Sequence, residues 1–437
     1  MQTLVTYDVV GIGLGPFGLG LAALTQPLVD SGEITAAFYD QRDGFCWHPG
    51  MMFDEATIQV PFLADLVTLA DPTSPYSFLN YLKLSGRMHR FYIREDFYPL
   101  RREYSDYCAW VDDKLSTTHW NTQVTAVKPA PQALVDDSDA RWVVEFHDGT
   151  AVAARHLVSA VGTTPFVPKD LASGLGQPHV VHSEDFLEHR DELLELDSVT
   201  IVGSGQSAAE IFQDLLPIAV EQEKQLNWVT RSPRFFPMEY TKLTLEMTSP
   251  EYAQYFASLP DGQRDQLNRE NRGLYKGISE DLINDIYDTL YRLSISNDVE
   301  AHTLLKAGVS VSYVESRGGT HTVRLRHNET GTESTLDTQG LVLATGYRAP
   351  QIPAYLVDAR DLINLDSQGR YDVAGDFSVD DAHSMFVLNA EEHVFSLNAP
   401  DLGMGPWRNS IIVKQITGRE VYPIERAFAF QHFGGLK

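Results

Sequence analysis

The sequence predicts an α/β protein with two Rossmann-like domains and a small, mostly helical region. Two glycine fingerprints of the form G-x-G-x-x-G/A predict the two domains, because each one lies between a short apolar run and a helical pattern. The helical region is predicted by the spacing of apolar residues within 236–300, where positions 281–287 read Asp-Leu-Ile-Asn-Asp-Ile-Tyr.

The first fingerprint follows an apolar strand predicted over residues 7–12. Its glycines allow backbone N–H groups to approach a pyrophosphate at the start of a helix. The next predicted strand, 36–39, is followed by an acid that suits the ribose hydroxyls of FAD. The predicted FAD contacts of this unit are Gly13, Gly15, Pro16, Phe17, Gly18 and Asp40.

The second fingerprint follows a strand predicted over residues 198–202, and the strand after its helix, 226–230, ends at a cation. A cation at that place suits the 2′-phosphate of NADPH, although an ordinary surface arginine is the alternative interpretation. The predicted NADPH contacts are Gly203, Ser204, Gly205, Gln206, Ser207 and Arg231. Two dinucleotides in one chain indicate that a nicotinamide passes a hydride to a flavin.

The order of the predicted elements divides the chain into three parts. Residues 1–165 form the first part of the FAD-binding domain, and a Gly-Thr-Thr-Pro break closes it at 162–165. Residues 195–335 form an inserted NADPH-binding domain, which includes the helical substrate region at about 236–300. Residues 336–437 complete the FAD-binding domain, and a buried strand predicted in 341–347 returns the chain to it.

The net charge of the 437-residue chain is −26, which excludes nucleic acid as a partner because that binding needs a basic face. An acidic balance suits a cationic small substrate, and it fits equally well an acidic enzyme without that preference. Cys46 and Cys108 form no C-x-x-C motif, so we expect a reduced, cytoplasmic protein. We find no leader, membrane span or metal-ligand spacing in the sequence, and expect neither a membrane partner nor a metal.

Beyond the fingerprints, the chain resembles the flavin-dependent N-hydroxylating monooxygenases that act on lysine, ornithine or diamines in hydroxamate siderophore synthesis. Its most specific segments are Phe-Cys-Trp-His-Pro-Gly-Met at 45–51 and Asp-Pro-Thr-Ser-Pro-Tyr-Ser-Phe at 71–78. The resemblance implies FAD contacts at Trp47, His48, Gln59 and Leu402, and an NADPH contact at Tyr347. It implies a positioning role for Gln59 and no other side-chain catalyst. Without the resemblance, Trp47 and His48 read as a core aromatic and a hydrogen-bonded core histidine.

One departure from the family bears on the substrate. Relatives that act on amino acids carry Phe-Leu-Lys-Asp-Leu, whose lysine pairs with the α-carboxylate, whereas this chain has Ala64 at the lysine position. Two polar positions of the ornithine enzymes align with Leu245 and Leu274, so the predicted substrate contacts are Gln59, Ala64, Leu245 and Leu274. An unpartnered carboxylate would cost several kcal/mol in such a pocket. We therefore predict a diamine, cadaverine or putrescine and less readily diaminopropane. L-lysine is the alternative, with Lys276 or Arg272 in place of the missing lysine.

The resemblance implies that NADPH and O₂ hydroxylate a primary amine through a C4a-hydroperoxyflavin. The amine must lose its proton, and desolvation lowers its pKa from a value near 10.4. The resemblance also implies a homo-oligomer, commonly a tetramer. An alternative of a different class is a non-catalytic flavin-binding partner of a siderophore synthetase, which would not consume NADPH.

Overall fold

The computed structural model describes residues 4–349 and 352–435, in which strands and helices alternate over much of the chain. The strands are β1 (Thr6–Ile12), β2 (Ala36–Tyr39), β3 (Thr118–His119), β4 (Val124–Pro129), β5 (Trp142–Phe146), β6 (Ala151–Ser159), β7 (Thr164–Pro165), β8 (Val180–His182), β9 (Ser198–Val202), β10 (Gln225–Val229), β11 (Thr303–Lys306), β12 (Val309–Arg317), β13 (Thr320–His327), β14 (Glu333–Thr338), β15 (Gly340–Leu343), β16 (Tyr347–Arg348) and β17 (Met385–Val387).

The α-helices are α1 (Pro16–Asp30), α2 (Phe78–Leu84), α3 (Met88–Arg94), α4 (Arg101–Asp112), α5 (Gln132–Ser138), α6 (Lys169–Ala172), α7 (Phe186–Leu194), α8 (Gln206–Glu221), α9 (Lys242–Leu245), α10 (Pro250–Ala257), α11 (Asp261–Glu270), α12 (Glu280–Ser294), α13 (Val299–His302), α14 (Glu392–Phe395) and α15 (Met404–Thr417). Short 3₁₀ helices span Pro49–Met51, Ser183–Asp185, Asn271–Leu274, Ala354–Leu362 and Ser396–Asn398. None of the described helices is both long and apolar enough to cross a lipid bilayer.

The first sheet has the strand order β3-β2-β1-β6-β5-β4, with β17 paired to β6. β1 pairs in parallel with β2 and β6, and Val9, Val10 and Ile12 are buried, which explains the continuous apolar run in the sequence. The turn after β1 leads directly into α1, so the first fingerprint lies at the carboxyl end of the parallel strands. Open α/β sheets bind their ligands at this edge.

The second sheet is entirely parallel, with the order β11-β10-β9-β15-β8. It runs from residue 180 to residue 343, beyond the bounds of 195 and 335 that the sequence predicts for the inserted domain. β8 has three residues, too few for a periodic signal, and the apolar run of β15 does not reveal which sheet it joins. Strand pairing thus favours wider bounds for the second unit, and the division into domains stays a prediction.

Two short antiparallel strands connect the two units, since β7 pairs with β16. This pairing lies where the chain leaves the first sheet and where it returns, and it fixes the turn that carries Tyr347. Between β10 and β11 the chain forms α9 to α13, so the predicted helical region is helical. Tyr252 and Phe256 of α10 pack against Leu397, which places this region against the C-terminal part of the chain.

Candidate active site

A cleft of about 890 Å³ is lined by residues of the first fingerprint, the helical region and the C-terminal segment. Of the predicted FAD contacts, it brings together Gly13, Gly15, Pro16, Phe17, Asp40, Trp47, His48, Gln59 and Leu402. Tyr347, Leu245 and Leu274 also line it. Residues that are far apart in sequence therefore share one cavity, of the size expected for a cofactor with a small substrate.

The first fingerprint has the backbone that a pyrophosphate needs. Gly13 has φ +97°, and a Cβ there would lie 2.4 Å from the carbonyl oxygen of Ala160. A Cβ on Gly18 would lie 2.1 Å from the carbonyl oxygen of Gly13, so both positions require glycine. A Cβ on Gly15 would meet no described atom within 4 Å, and no described side chain caps the start of α1. The exposed N–H groups at this helix start fit a dinucleotide phosphate.

Asp40 anchors the same turn. Its Oδ2 accepts a hydrogen bond from the Leu14 N–H at 2.8 Å, and Arg42 donates to both of its carboxylate oxygens. Burial raises the pKa of Asp40, but the hydrogen bonds from Arg42 and Leu14 outweigh it and hold the pKa below its usual value. The carboxylate is ionised at neutral pH and lines the cleft, while its contact with a ribose stays a prediction.

The second fingerprint repeats this construction at α8. A Cβ on Gly203 would lie 2.2 Å from the carbonyl oxygen of Ala344, whereas the nearest described atom to a Cβ on Gly205 is 3.6 Å away. Ser204 and Ser207 are half-buried beside them, and no described side chain caps the start of the helix. Arg231 is exposed just after β10, where the Asn328 side chain donates to its carbonyl oxygen at 3.0 Å. Its contact with a 2′-phosphate stays a prediction.

Trp47, His48 and Tyr347 form an aromatic wall of the cleft. The ring centroids of Trp47 and His48 are 5.3 Å apart, and those of His48 and Tyr347 are 5.9 Å apart. His48 has a left-handed backbone with φ +51°. Burial, assisted by the positive charge of Arg101, lowers the pKa of His48 to about 4, so its imidazole is neutral at pH 7.

Gln59 connects the two units. Its Nε2 donates to Oε1 of Gln206, the first residue of α8, at 3.3 Å. Gln59 lines the cleft, so the amide stands between the cavity and the start of the second nucleotide-binding helix. This link gives a physical basis for the positioning role that the sequence predicts for Gln59.

The predicted substrate residues lie in or beside the part of the cleft formed by the helical region. Leu245 ends α9 and Leu274 ends a 3₁₀ helix, and both line the cleft. Ala64 is buried and is not among the described residues that line the cleft, and its Cβ would lie 3.6 Å from a Cβ placed on Gly403. Neither of the two cations considered as substitutes for a lysine at position 64 is among the described residues that line the cleft. Lys276 is paired with Glu392 at 2.7 Å.

Asp401 is a charged residue of the cleft that the sequence did not predict. It is partly buried, and its Oδ1 accepts a hydrogen bond from the Met404 N–H at 3.1 Å. A Cβ placed on Gly403 would lie 3.1 Å from this Oδ1, so Asp401 and Ala64 flank one small volume. Burial raises the pKa of the Asp401 carboxyl, and the nearby charge of Arg408 opposes this rise. The only signal in the sequence was an acid three residues before a helix, which predicts a cap rather than a ligand.

Comparison with known proteins points to one family. The family model for L-lysine 6-monooxygenase/L-ornithine 5-monooxygenase matches residues 5–349. Among curated proteins, the putrescine N-hydroxylase of Acinetobacter baumannii is 41% identical over 437 residues, covering 99% of this chain and 95% of that protein. The L-lysine N6-monooxygenase of Escherichia coli is 29% identical over 429 residues, covering 95% of this chain and 96% of that protein.

Solved structures agree with this result. The FAD-bound cadaverine monooxygenase of desferrioxamine biosynthesis from Erwinia amylovora has a TM-score of 0.93 and 43% identity, covering 99% of each chain. An ornithine N-hydroxylase from Kutzneria with reduced FAD, NADP⁺ and L-ornithine has a TM-score of 0.82 and 28% identity, covering 94% of this chain and 99% of that one.

Proposed function

Because the chain belongs to the L-lysine 6-monooxygenase/L-ornithine 5-monooxygenase family, we propose that it hydroxylates one amine of a short aliphatic diamine, cadaverine or putrescine, with NADPH and O₂. The product is an N-hydroxydiamine for hydroxamate siderophore synthesis. The observation that carries the diamine proposal is the carboxylate of Asp401, which lines the cleft and lies near Gly403 together with Ala64, the position at which the sequence predicts that a cation is missing.

FAD and NADPH fit the residues of the two fingerprints. The N–H groups at the start of α1 would hold the FAD pyrophosphate, with Asp40 toward its ribose and Trp47 and His48 toward its ring system. The start of α8 would hold the NADPH pyrophosphate, with Tyr347 on the cleft side. When bound, FAD supplies the redox chemistry by which NADPH and a proton reduce O₂, one oxygen atom entering an amine N–H bond and the other leaving as water.

The chain's own residues explain why a diamine fits better than an amino acid. Leu245 and Leu274 contribute apolar surface that suits a methylene chain. Asp401 offers a carboxylate to the distal ammonium, and would repel the α-carboxylate of L-lysine at the same place. Burial among apolar side chains disfavours the charged form of the reacting amine, and this desolvation favours loss of its proton.

The direct test is product formation from cadaverine, putrescine, L-lysine and L-ornithine at equal concentration, with NADPH and oxygen. We expect hydroxylamine product from the diamines, at a kcat/KM at least about 100-fold above that for either amino acid, since like-charge contact costs several kcal/mol. Product chiefly from L-lysine would contradict the diamine proposal. A protein that binds flavin but never oxidises NADPH would instead support a non-catalytic partner.

The FAD assignment predicts the effect of the substitution Gly15→Val. The backbone at Gly15, φ −71° and ψ 179°, is open to any residue, and an added Cβ meets no described atom within 4 Å. The fold should therefore persist, while the side chain occupies the place of the pyrophosphate and weakens FAD binding by at least about 10-fold. Flavin absorbance and fluorescence titration of the purified variant measure this. The matched control is Gly262→Ala, an exposed position on α11 with equally open space. FAD affinity equal to wild type would contradict the assignment.

The proposal includes a cytoplasmic location and a homo-oligomer, a tetramer by family resemblance. Sedimentation velocity of the purified FAD-bound protein tests the assembly, and a monomer over the working concentration range would contradict it.

A further inference from the structure

A buried ion pair joins the helices of the two nucleotide-binding units. Arg101 begins α4 on the side of the first sheet, and Glu210 lies on α8 one turn after the second fingerprint. Arg101 donates to the two carboxylate oxygens of Glu210 at 2.7 and 3.1 Å, and the two side chains are only 12% and 8% exposed. Such a bidentate geometry holds the carboxylate in a fixed orientation.

Glu210 fixes the orientation of the next amide along the helix. Gln206 lies four residues earlier on α8, and its Nε2 donates to Oε1 of Glu210 at 3.0 Å. A carboxylate can only accept hydrogen bonds, so the amide nitrogen of Gln206 must face Glu210 and its oxygen must face the other way. The backbone N–H of Ser279 confirms this orientation independently, because it donates to Oε1 of Gln206 at 2.8 Å.

The orientation of the Gln206 amide in turn fixes that of Gln59. Since Oε1 of Gln206 is an acceptor, the side chain of Gln59 presents its Nε2 to it, at 3.3 Å. The acceptor oxygen of Gln59 is then the atom left for the cleft that this residue lines. The carboxylate of Glu210, together with the Ser279 N–H, thus decides whether Gln59 offers the cavity an acceptor or a donor.

We propose that Glu210 is a positioning residue for amine hydroxylation, acting through Gln206 to keep Oε1 of Gln59 toward the substrate amine. The inference rests on the proposed function. A neutral primary amine has two N–H donors and one lone pair, and the lone pair must attack oxygen. An acceptor that holds an N–H leaves the lone pair free, whereas an amide N–H donor in the same place would hydrogen-bond the lone pair and block the attack.

The test is Glu210→Gln in the FAD-bound enzyme, with NADPH oxidation, hydroxylamine and hydrogen peroxide measured in parallel on putrescine. An amide at 210 can donate as well as accept, so only the Ser279 N–H still favours the original orientation of Gln206, and the orientation of Gln59 is held less firmly. We expect NADPH oxidation within about 3-fold of wild type, with hydroxylamine per NADPH falling about 5-fold or more as one hydrogen bond of the network is lost. The O₂ that no longer hydroxylates the amine should appear as hydrogen peroxide, because it then accepts only the two electrons of NADPH.

The matched control is Asp214→Asn, one turn further along α8. Asp214 is also paired bidentately, with Arg190 at 2.7 and 3.1 Å, so the substitution removes the same charge from the same helix outside the chain of amides. It should keep wild-type coupling between NADPH oxidation and hydroxylamine. Equal uncoupling in both variants would overturn the proposal, because the charge of the helix alone would then explain the loss.

Two further variants separate positioning from a purely structural role. Gln206→Met breaks the chain of amides while leaving the pair of Arg101 and Glu210 intact, and it should uncouple the enzyme even if Glu210→Gln folds poorly. In a Gln59→Leu background, Glu210→Gln should cause no further loss of coupling, and an additive loss would overturn the proposal. Wild type that forms no hydroxylamine from any diamine would refute the proposed function itself, whatever the variants do.

Discussion

Asp401→Asn should lower kcat/KM for putrescine and cadaverine by about 10- to 100-fold, the effect of losing one hydrogen bond to a charged group. The variant keeps the shape of the side chain, and its amide oxygen can still accept from the Met404 N–H that Asp401 binds at the start of α15. The loss should lie mainly in KM, because the distal ammonium binds alike before and during the chemical step. Steady-state hydroxylamine formation over a range of diamine concentrations measures it.

The same variant should accept L-lysine better than wild type does, because the carboxylate that repels its α-carboxylate is gone. The matched control is Glu239→Gln, an exposed carboxylate that lines the same cleft. An exposed charge pair contributes at most about 1 kcal/mol, so this control should stay within about 5-fold of wild type. A large effect at Glu239 with none at Asp401 would show that Glu239, and not Asp401, binds the distal ammonium.

The pH dependence of kcat/KM offers a separate check on Asp401. Burial holds the pKa of this carboxyl above its usual value, and the protonated form cannot attract an ammonium. Diamine kcat/KM should therefore fall as the pH decreases through the pKa of Asp401 in the free enzyme, at a higher pH than for an exposed aspartate. In Asp401→Asn this acidic limb should be absent.

The sequence predicts the strands and helices correctly where the local residue pattern agrees with the tertiary structure. The strands predicted at 36–39 and 198–202 are present as β2 and β9, and both fingerprints lie in strand-turn-helix units. Close backbone contacts require glycine at Gly13, Gly18 and Gly203. β8 was not predicted because three residues carry no period, and the sheet that β15 joins could not be predicted because a buried apolar run does not show which strands it pairs with.

The candidate site was less predictable, because its polar contacts join residues far apart in the chain. Ala64 and Asp401 are brought together around Gly403, and Gln59 reaches Gln206 across 147 positions. Neither contact leaves a motif, so a single sequence predicts the glycine turns better than it predicts which side chains come together around the cleft.

Arg408→Met should lower the free energy of unfolding by about 3–5 kcal/mol, the cost of leaving one member of a buried ion pair alone. Arg408 is 1% exposed and its partner Glu391 is fully buried. Arg408 also donates to the Ala399 carbonyl oxygen at 2.6 Å, and its guanidinium lies 4.3 Å from the centre of the Phe17 ring. Arg408 thus joins α15 both to Glu391 and, through Phe17, to the first fingerprint. Thermal denaturation with saturating FAD should show a Tm lower by roughly 3–5 °C.

The control for this loss is Arg419→Met, which breaks an exposed pair with Glu33 just after α15. It should cost no more than about 1 kcal/mol, because solvent screens such pairs. Replacing both members, in Glu391→Gln with Arg408→Met, should recover a large part of the stability, since no buried charge remains. If Arg408→Met proves as mild as the control, the pair does not hold this part of the fold together.

The sign of the pH effect in Arg408→Met separates a buried charge from lost packing. Burial raises the pKa of Glu391, and in wild type the charge of Arg408 opposes that rise. Without Arg408 the folded state holds the Glu391 proton at a pH where the unfolded chain has released it, so the free energy of unfolding falls as the pH rises. The difference in unfolding free energy between wild type and Arg408→Met should therefore shrink as the pH falls through the folded-state pKa of Glu391. If the loss of unfolding free energy does not change with pH, lost side-chain packing explains it instead, because packing contacts neither bind nor release protons.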